Sequence, residues 1–170
     1  MKNLLTPAIL LVAMALTFTS CKKDEEITNN GSSNNTTTPA ETKTQLLTAR
    51  YWKLTAATIS PAIDVFGNGN FITDIHSVLP PCFTDNLYKF NENSSTINDE
   101  GPTKCDPSDL QTTTGGWSWD STQTIITWDG IEYTIMELTA TTLKLRYVYE
   151  EYNENYDLVT YTDIYTYTRQ

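Results

Sequence analysis

Thr122–Tyr149 reads TQTIITWDGIEYTIMELTATTLKLRYVY, and its apolar residues recur at alternate positions rather than at helical spacing. Two polar breaks divide it into three extended runs. The first, Trp128-Asp129-Gly130-Ile131, sets Asp-Gly between apolar segments. A type I′ turn needs positive φ at both central residues, so this pair is a strong hairpin signal. The second break is Thr139-Ala140-Thr141. Inward positions are expected at Ile131, Tyr133 and Ile135, then at Leu143, Leu145, Tyr147 and Tyr149. Such a meander buries one face only, so other strands must close the core. Nothing about Asp129-Gly130 asks for more than hairpin chemistry.

Downstream, a polar excursion from Glu150 to Asp157 leads to a last strand, Leu158–Arg169. There Val159, Tyr161, Tyr165 and Tyr167 alternate with threonines, and Asp163 with Ile164 interrupts the pattern. Upstream, Gly116–Asp120 brings Trp117 and Trp119 to one side of a strand, after an acidic, Pro-containing loop from Asp99 to Thr114. Asn86–Phe90 and Thr96–Asn98 pair as a hairpin across Glu92-Asn93-Ser94, with Tyr88 and Phe90 sharing a face. Asp64–Pro81 is a long connection with a short strand near Phe71. Tyr51–Ile59 forms the first strand, with Trp52, Leu54, Ala56 and Thr58 on one face and Pro61 ending it. Glu41–Ala49 suits one short helix whose apolar contacts are Leu46 and Leu47. About eight strands without βαβ alternation predict an all-β fold, an antiparallel barrel or sandwich. Closure would also hide the edges of a Thr-rich and Tyr-rich last strand.

The start of the chain carries an address. Lys2 and Asn3 precede an apolar run from Leu4 to Phe18 and a small-residue zone before Cys21, the n-region, h-region and cleavage site of a secretory leader over residues 1–20. The run is short for a membrane span. Phe18-Thr19-Ser20-Cys21 resembles the lipobox of bacterial lipoproteins, with Phe18 where Leu is usual. That resemblance implies acyl chains, palmitate among them, on Cys21. Cys21-Lys22-Lys23-Asp24-Glu25-Glu26 resembles the export signal of surface lipoproteins of the Bacteroidota, and also reads as a plain solvated charge run. Outer-membrane attachment follows, at the cell surface or on the periplasmic face. Residues 21–43 form the lipidated end and a flexible tether, because Thr28–Lys43 has almost nothing to bury. Random-coil scaling gives it a reach of roughly 25 Å. Residues 44–170 are one domain.

Loss of Lys2 with the leader takes the net charge from −10 to −11. Nucleic acid and anionic headgroups are therefore repelled, and the expected membrane contact is covalent. The domain is expected to act as a monomer.

Several spaced features together resemble the lipocalin-like domain of Bacteroidota lipoproteins: Arg50-Tyr51-Trp52-Lys53-Leu54, Cys82 followed by Asp85, Tyr88 and Phe90, then Cys105, Gly116-Trp117-Ser118-Trp119, and Tyr167-Thr168-Arg169. The resemblance spans Thr44–Arg169 and implies a calycin-like up-and-down barrel of about eight strands. It further implies that Arg169 covers Trp52 as a cation-π lid closing the barrel.

With Cys21 taken by lipid, Cys82 and Cys105 are an even pair in an oxidising setting, and a disulfide is expected. Asp64-Val65-Phe66-Gly67-Asn68-Gly69-Asn70 through Asp74 is faintly like a calcium loop. Phe66 and Ile72 fall where ligands are needed, so Asp64, Asn68 and Asp74 are weak metal candidates and no metal or other cofactor is expected. His76 is the single histidine, which leaves a His-based triad or metal site without its other members. Acids at Asp99-Glu100, Asp106, Asp109 and Glu150-Glu151 fall in segments that read as solvated turns. Catalysis is not indicated.

Two functions compete. In one, the barrel mouth is lined by Trp117, Trp119, Tyr147, Tyr165 and Tyr167 and holds a small apolar or aromatic ligand. In the other, the barrel is filled by its own side chains, and the acidic, Tyr-rich tip with the long loops contacts another envelope protein. Cavity volume separates them.

Overall fold

A computed structural model describes residues 40–153 and 155–170. The leader, the lipidation site Cys21 and most of the tether lie outside the described residues.

The elements in order are helix α1 (Lys43–Thr48), strands β1 (Tyr51–Ile63) and β2 (Ile72–Asp74), a 3-10 turn (His76–Val78), helix α2 (Pro81–Thr84), and strands β3 (Leu87–Phe90), β4 (Ser95–Asp99), β5 (Thr112–Trp119), β6 (Ile125–Trp128), β7 (Ile131–Leu138), β8 (Thr142–Tyr152) and β9 (Leu158–Arg169). Every pairing is antiparallel. Strands β1 and β3 to β9 are hydrogen-bonded in sequence, and β9 returns to β1, so eight strands close a ring while β2 flanks β1. This is the expected up-and-down barrel.

The opening stretch folds as its pattern demands. β6, β7 and β8 are consecutive neighbours, and Asp129 and Gly130 have φ of 50° and 85°, the positive values a type I′ turn requires. Leu143 and Leu145 are fully buried, while Tyr133 and Ile135 pack against the core.

Four boundaries differ from the sequence reading. In β1, Leu54 pairs with Tyr167 but Ala56 pairs with Thr166, leaving Thr55 as an extra residue. This bulge shifts the parity, so Ala57 and Ile59 point inward in place of Ala56 and Thr58. Pro61 does not end the strand. It lies beyond the last β9 pair, Ser60–Thr162, and within the irregular stretch facing β2, where no ladder N–H is needed. β5 begins at Thr112 rather than Gly116, because Thr112, Thr113 and Thr114 pair with Asp99, Asn98 and Ile97. Glu150, Glu151 and Tyr152 belong to β8, paired with Thr160, Val159 and Leu158, so the final turn is shorter than the polar composition suggests.

One end of the barrel is plugged. Thr42 and Gln45 form a reciprocal capping box that starts α1. Leu47 is then driven into the interior, fully buried beside Trp52, Phe90, Ile126, Leu143 and Leu145. Two indoles tie the helix down: Trp52 Nε1 donates to Leu47 O at 2.8 Å and Trp119 Nε1 to Thr44 Oγ1 at 3.1 Å. Each large apolar side chain so buried contributes about 1.5–3 kcal/mol.

Candidate functional site

Above the plugged core the barrel opens into a cleft of about 340 Å³. Its walls come from five parts of the chain. β1 supplies Leu54 and β3 supplies Tyr88; Trp128, Asp129, Ile131 and Tyr133 come from the β6–β7 hairpin, and Tyr165 with Tyr167 from β9. Leu79 and Phe83 cover one side from the segment between β2 and β3. The aromatic rings hold one another in place. Tyr88 meets Trp128 edge-on at 5.1 Å and Tyr167 at 5.7 Å, and Trp128 lies 4.9 Å from Phe90 beneath. Edge-to-face contacts of this kind add about 0.5–1.5 kcal/mol each beyond burial.

Burial raises the phenols of Tyr88, Tyr133, Tyr165 and Tyr167 above their ordinary range. All four therefore keep their protons at neutral pH and present apolar faces with hydroxyl donors. Such a surface can hold and orient a molecule.

The five aromatic candidates separate. Tyr165 and Tyr167 line the cleft. Tyr147 stands beside it, 5.7 Å from Tyr133. Trp117 and Trp119 are instead in the packed end, 5.6 Å from each other, with Trp117 Nε1 donating to Asn91 O at 2.9 Å. Their inward parity is as expected, but Trp117 is buried in the core and Trp119 is bonded to Thr44 of α1. Leu54, Tyr88, Trp128 and Tyr133 were not among the candidates, since each reads as core along its own strand. Only the closing of the ring sets them around one space.

The hairpin turn does more than reverse the chain. Asp129 folds its carboxylate over β5, where Oδ1 accepts from Gly116 N at 2.8 Å and from Thr96 Oγ1 at 3.4 Å. Gly115 leaves room for it, because a Cβ there would lie 1.9 Å from Asp129 Oδ1.

Cys82 and Cys105 are bonded, with Cα atoms 5.1 Å apart. The bridge joins α2 to the β4–β5 loop and so fixes Phe83, the neighbour of Cys82, at the cleft. Trp52 and Arg169 are register partners, yet the guanidinium turns away and Nη1 donates to Ala140 O at 3.0 Å. Among the described residues, the cation above an aromatic ring is Lys89, 5.9 Å from Tyr51. Trp52 is fully buried, its indole N–H bonded to Leu47 O.

The weak metal candidates are engaged by the chain itself. Asp64 accepts from the amides of Phe66, Asn68 and Gly69, and the Gly69 bond chiefly lowers its pKa. Asn68 accepts from Asn70 N and Asp74 from Ser77 N. His76 opens the 3-10 turn with Nε2 buried and unpartnered.

One inward group was read only as a break in pattern. Asp163 shares the parity of Tyr161, Tyr165 and Tyr167 and is 6% exposed. Its Oδ2 accepts from Tyr165 Oη at 2.9 Å. The parity of β9 was the signal that could have found it.

The family model described as a lipocalin-like domain matches residues 48–145. No curated protein matches the chain significantly.

Proposed function

The chain belongs to the lipocalin-like domain family, and on that premise we propose that it is an envelope-anchored binding protein whose cleft takes a small apolar or aromatic ligand. The observation carrying this reading is the open cleft of about 340 Å³ walled by Tyr88, Trp128, Tyr133, Tyr165 and Tyr167. That volume falls in the range of small-molecule sites, and a barrel filled by its own side chains would have no such space. Anchoring rests on the leader and on Cys21, which would carry the lipid, with residues 22–43 as tether. The location that fits is the outer membrane, facing the surface or the periplasm.

A second reading has its own support. Tyr152, Tyr156 and Leu158 at the β8–β9 tip are 67%, 87% and 56% exposed, an arrangement suited to contact with another envelope protein.

Native mass spectrometry of protein purified from its host decides between them. A retained small molecule, lost in Tyr165→Ala, supports the cleft; a co-purifying protein and an empty cleft support the tip. Cys21→Ser should release the protein from membranes, and trypsin treatment of intact cells should digest it only if it faces outward.

A further inference from the structure

The aromatic cleft has a polar neighbour. A second space of about 330 Å³ adjoins it, and Tyr88, Trp128 and Asp129 line both. Its remaining walls come from β4 and β5, where Thr96, Asn98 and Thr113 take the part that Leu54, Leu79 and Phe83 play in the cleft. Strand register turns these polar side chains inward. Tyr88 pairs with Asn98 and Asn98 with Thr113, so the three share one face, and Tyr88 meets Trp128 and Tyr167 inside the barrel. β5 meets β6 only from Trp117 to Trp119, so Thr112–Gly115 pairs with β4 alone. The polar space therefore lies beside an unpaired strand edge.

Hydrogen-bonding capacity is left over where the two spaces meet. Asp129 Oδ1 accepts from Gly116 N and Thr96 Oγ1, while Oδ2 has no partner among the described residues. The indoles of Trp52, Trp117 and Trp119 donate to Leu47 O, Asn91 O and Thr44 Oγ1. Among the described residues, the Trp128 N–H has no such acceptor, although its ring borders both spaces. Threonine hydroxyls and the Asn98 amide add donors and acceptors in alternation. Among the described residues, no Lys, Arg or His lines either space, and Asp129 opposes an anion.

We infer that the ligand is a neutral amphiphile, with an apolar ring or chain in the cleft joined to a hydroxyl-rich head that bonds Asp129, Asn98 and Thr113 in the polar space. A hydroxyl both donates and accepts, so such a head meets both kinds of group at once. A wholly apolar guest in this space would strip them of water and give nothing back. This inference rests on the ligand-binding reading above and adds to it a second half-site.

Phenyl glucoside carries both halves, anisole the apolar half and glucose the head, and the three serve as probes in calorimetric titrations of the intact lipid-free chain. Phenyl glucoside should bind about tenfold more tightly than either part. Thr113 is exposed, and Thr113→Phe, which fills the polar space, should lower the affinity for phenyl glucoside to that for anisole. In the unsubstituted protein, the Thr113 methyl and Asn98 side-chain amide resonances should move with phenyl glucoside and stay still with anisole, a readout independent of how the variant folds. Equal binding of phenyl glucoside and anisole, or a preference that survives Thr113→Phe, overturns the hydroxylated head and leaves the cleft intact as a site. Glucose bound as tightly as phenyl glucoside overturns the cleft reading, and binding of no probe overturns both.

Discussion

Gly115→Ala tests the tie between the β6–β7 turn and the barrel wall. A methyl group there would stand 1.9 Å from Asp129 Oδ1, 2.6 Å from its Cγ and 2.8 Å from Thr96 Oγ1. The first two separations lie far inside van der Waals contact, so the carboxylate must move off β5. In moving it gives up the Gly116 amide at 2.8 Å and the Thr96 hydroxyl at 3.4 Å. A hydrogen bond to a charged group contributes about 1.5–3 kcal/mol. The second contact is long and the Gly116 amide can regain water, so the expected loss is about 2 kcal/mol. For a domain of this size, roughly 4 °C follows each kcal/mol, and the melting temperature should fall by about 8 °C in a calorimetric scan. Asp129→Gly supplies the control, since glycine tolerates the φ of 50° at that position. On that background the new methyl meets only a rotatable hydroxyl, and Gly115→Ala should cost less than about 1 kcal/mol. Equal costs in the two backgrounds would refute the clamp.

Three other outcomes are expected. Replacing Cys82 and Cys105 together by Ser should cost about 3 kcal/mol by the chain-entropy argument, read as a lower urea midpoint, and should weaken ligand binding because Phe83 loses its tether. Trp52→Phe removes the indole donor and leaves Leu47 O buried without a partner, which should cost about 2 kcal/mol or more in the same assay. Burial raises the Asp163 carboxyl above its ordinary 3.8, partly countered by the Tyr165 hydroxyl. The folded chain thus holds that proton more tightly than the unfolded chain, and the stabilisation is full below the unfolded value and lost as pH rises through the folded one. Asp163→Asn should flatten this decline as pH rises above the ordinary 3.8, and urea midpoints that decline equally in the two proteins would contradict it.

The ring of strands was legible because its signals are local. Asp129-Gly130 sets one hairpin, and alternation in β7, β8 and β9 sets the buried faces. What escaped was decided at a distance. The bulge at Thr55 depends on how β9 lies against β1, and no period along β1 alone announces it. Trp117 and Trp119 differ in environment from Tyr165 because the ring places them in the packed core, where Trp119 meets Thr44 of α1 and Trp117 meets Asn91 O. Arg169 had the right register for Trp52, but Ala140 O offered its guanidinium a direct acceptor, and the Trp52 ring is fully buried with its N–H bonded to Leu47 O.

β7 and β8 are paired from Thr134–Arg146 to Leu138–Leu143 and part beyond Arg146, which bears on how this chain can vary. Beyond Ser60–Thr162, the strand pairings of the β8–β9 ribbon among the described residues are internal to it, so its outer edges contribute nothing to ring closure. Residues from Tyr149 to Tyr161 can therefore be lengthened, shortened or exchanged for another hairpin while the ring remains sealed by the pairs nearer α1. Glu150 and Glu151 sit on that free edge, where like charges discourage a second copy from adding a strand. A library confined to the ribbon would vary the tip and leave the scaffold untouched.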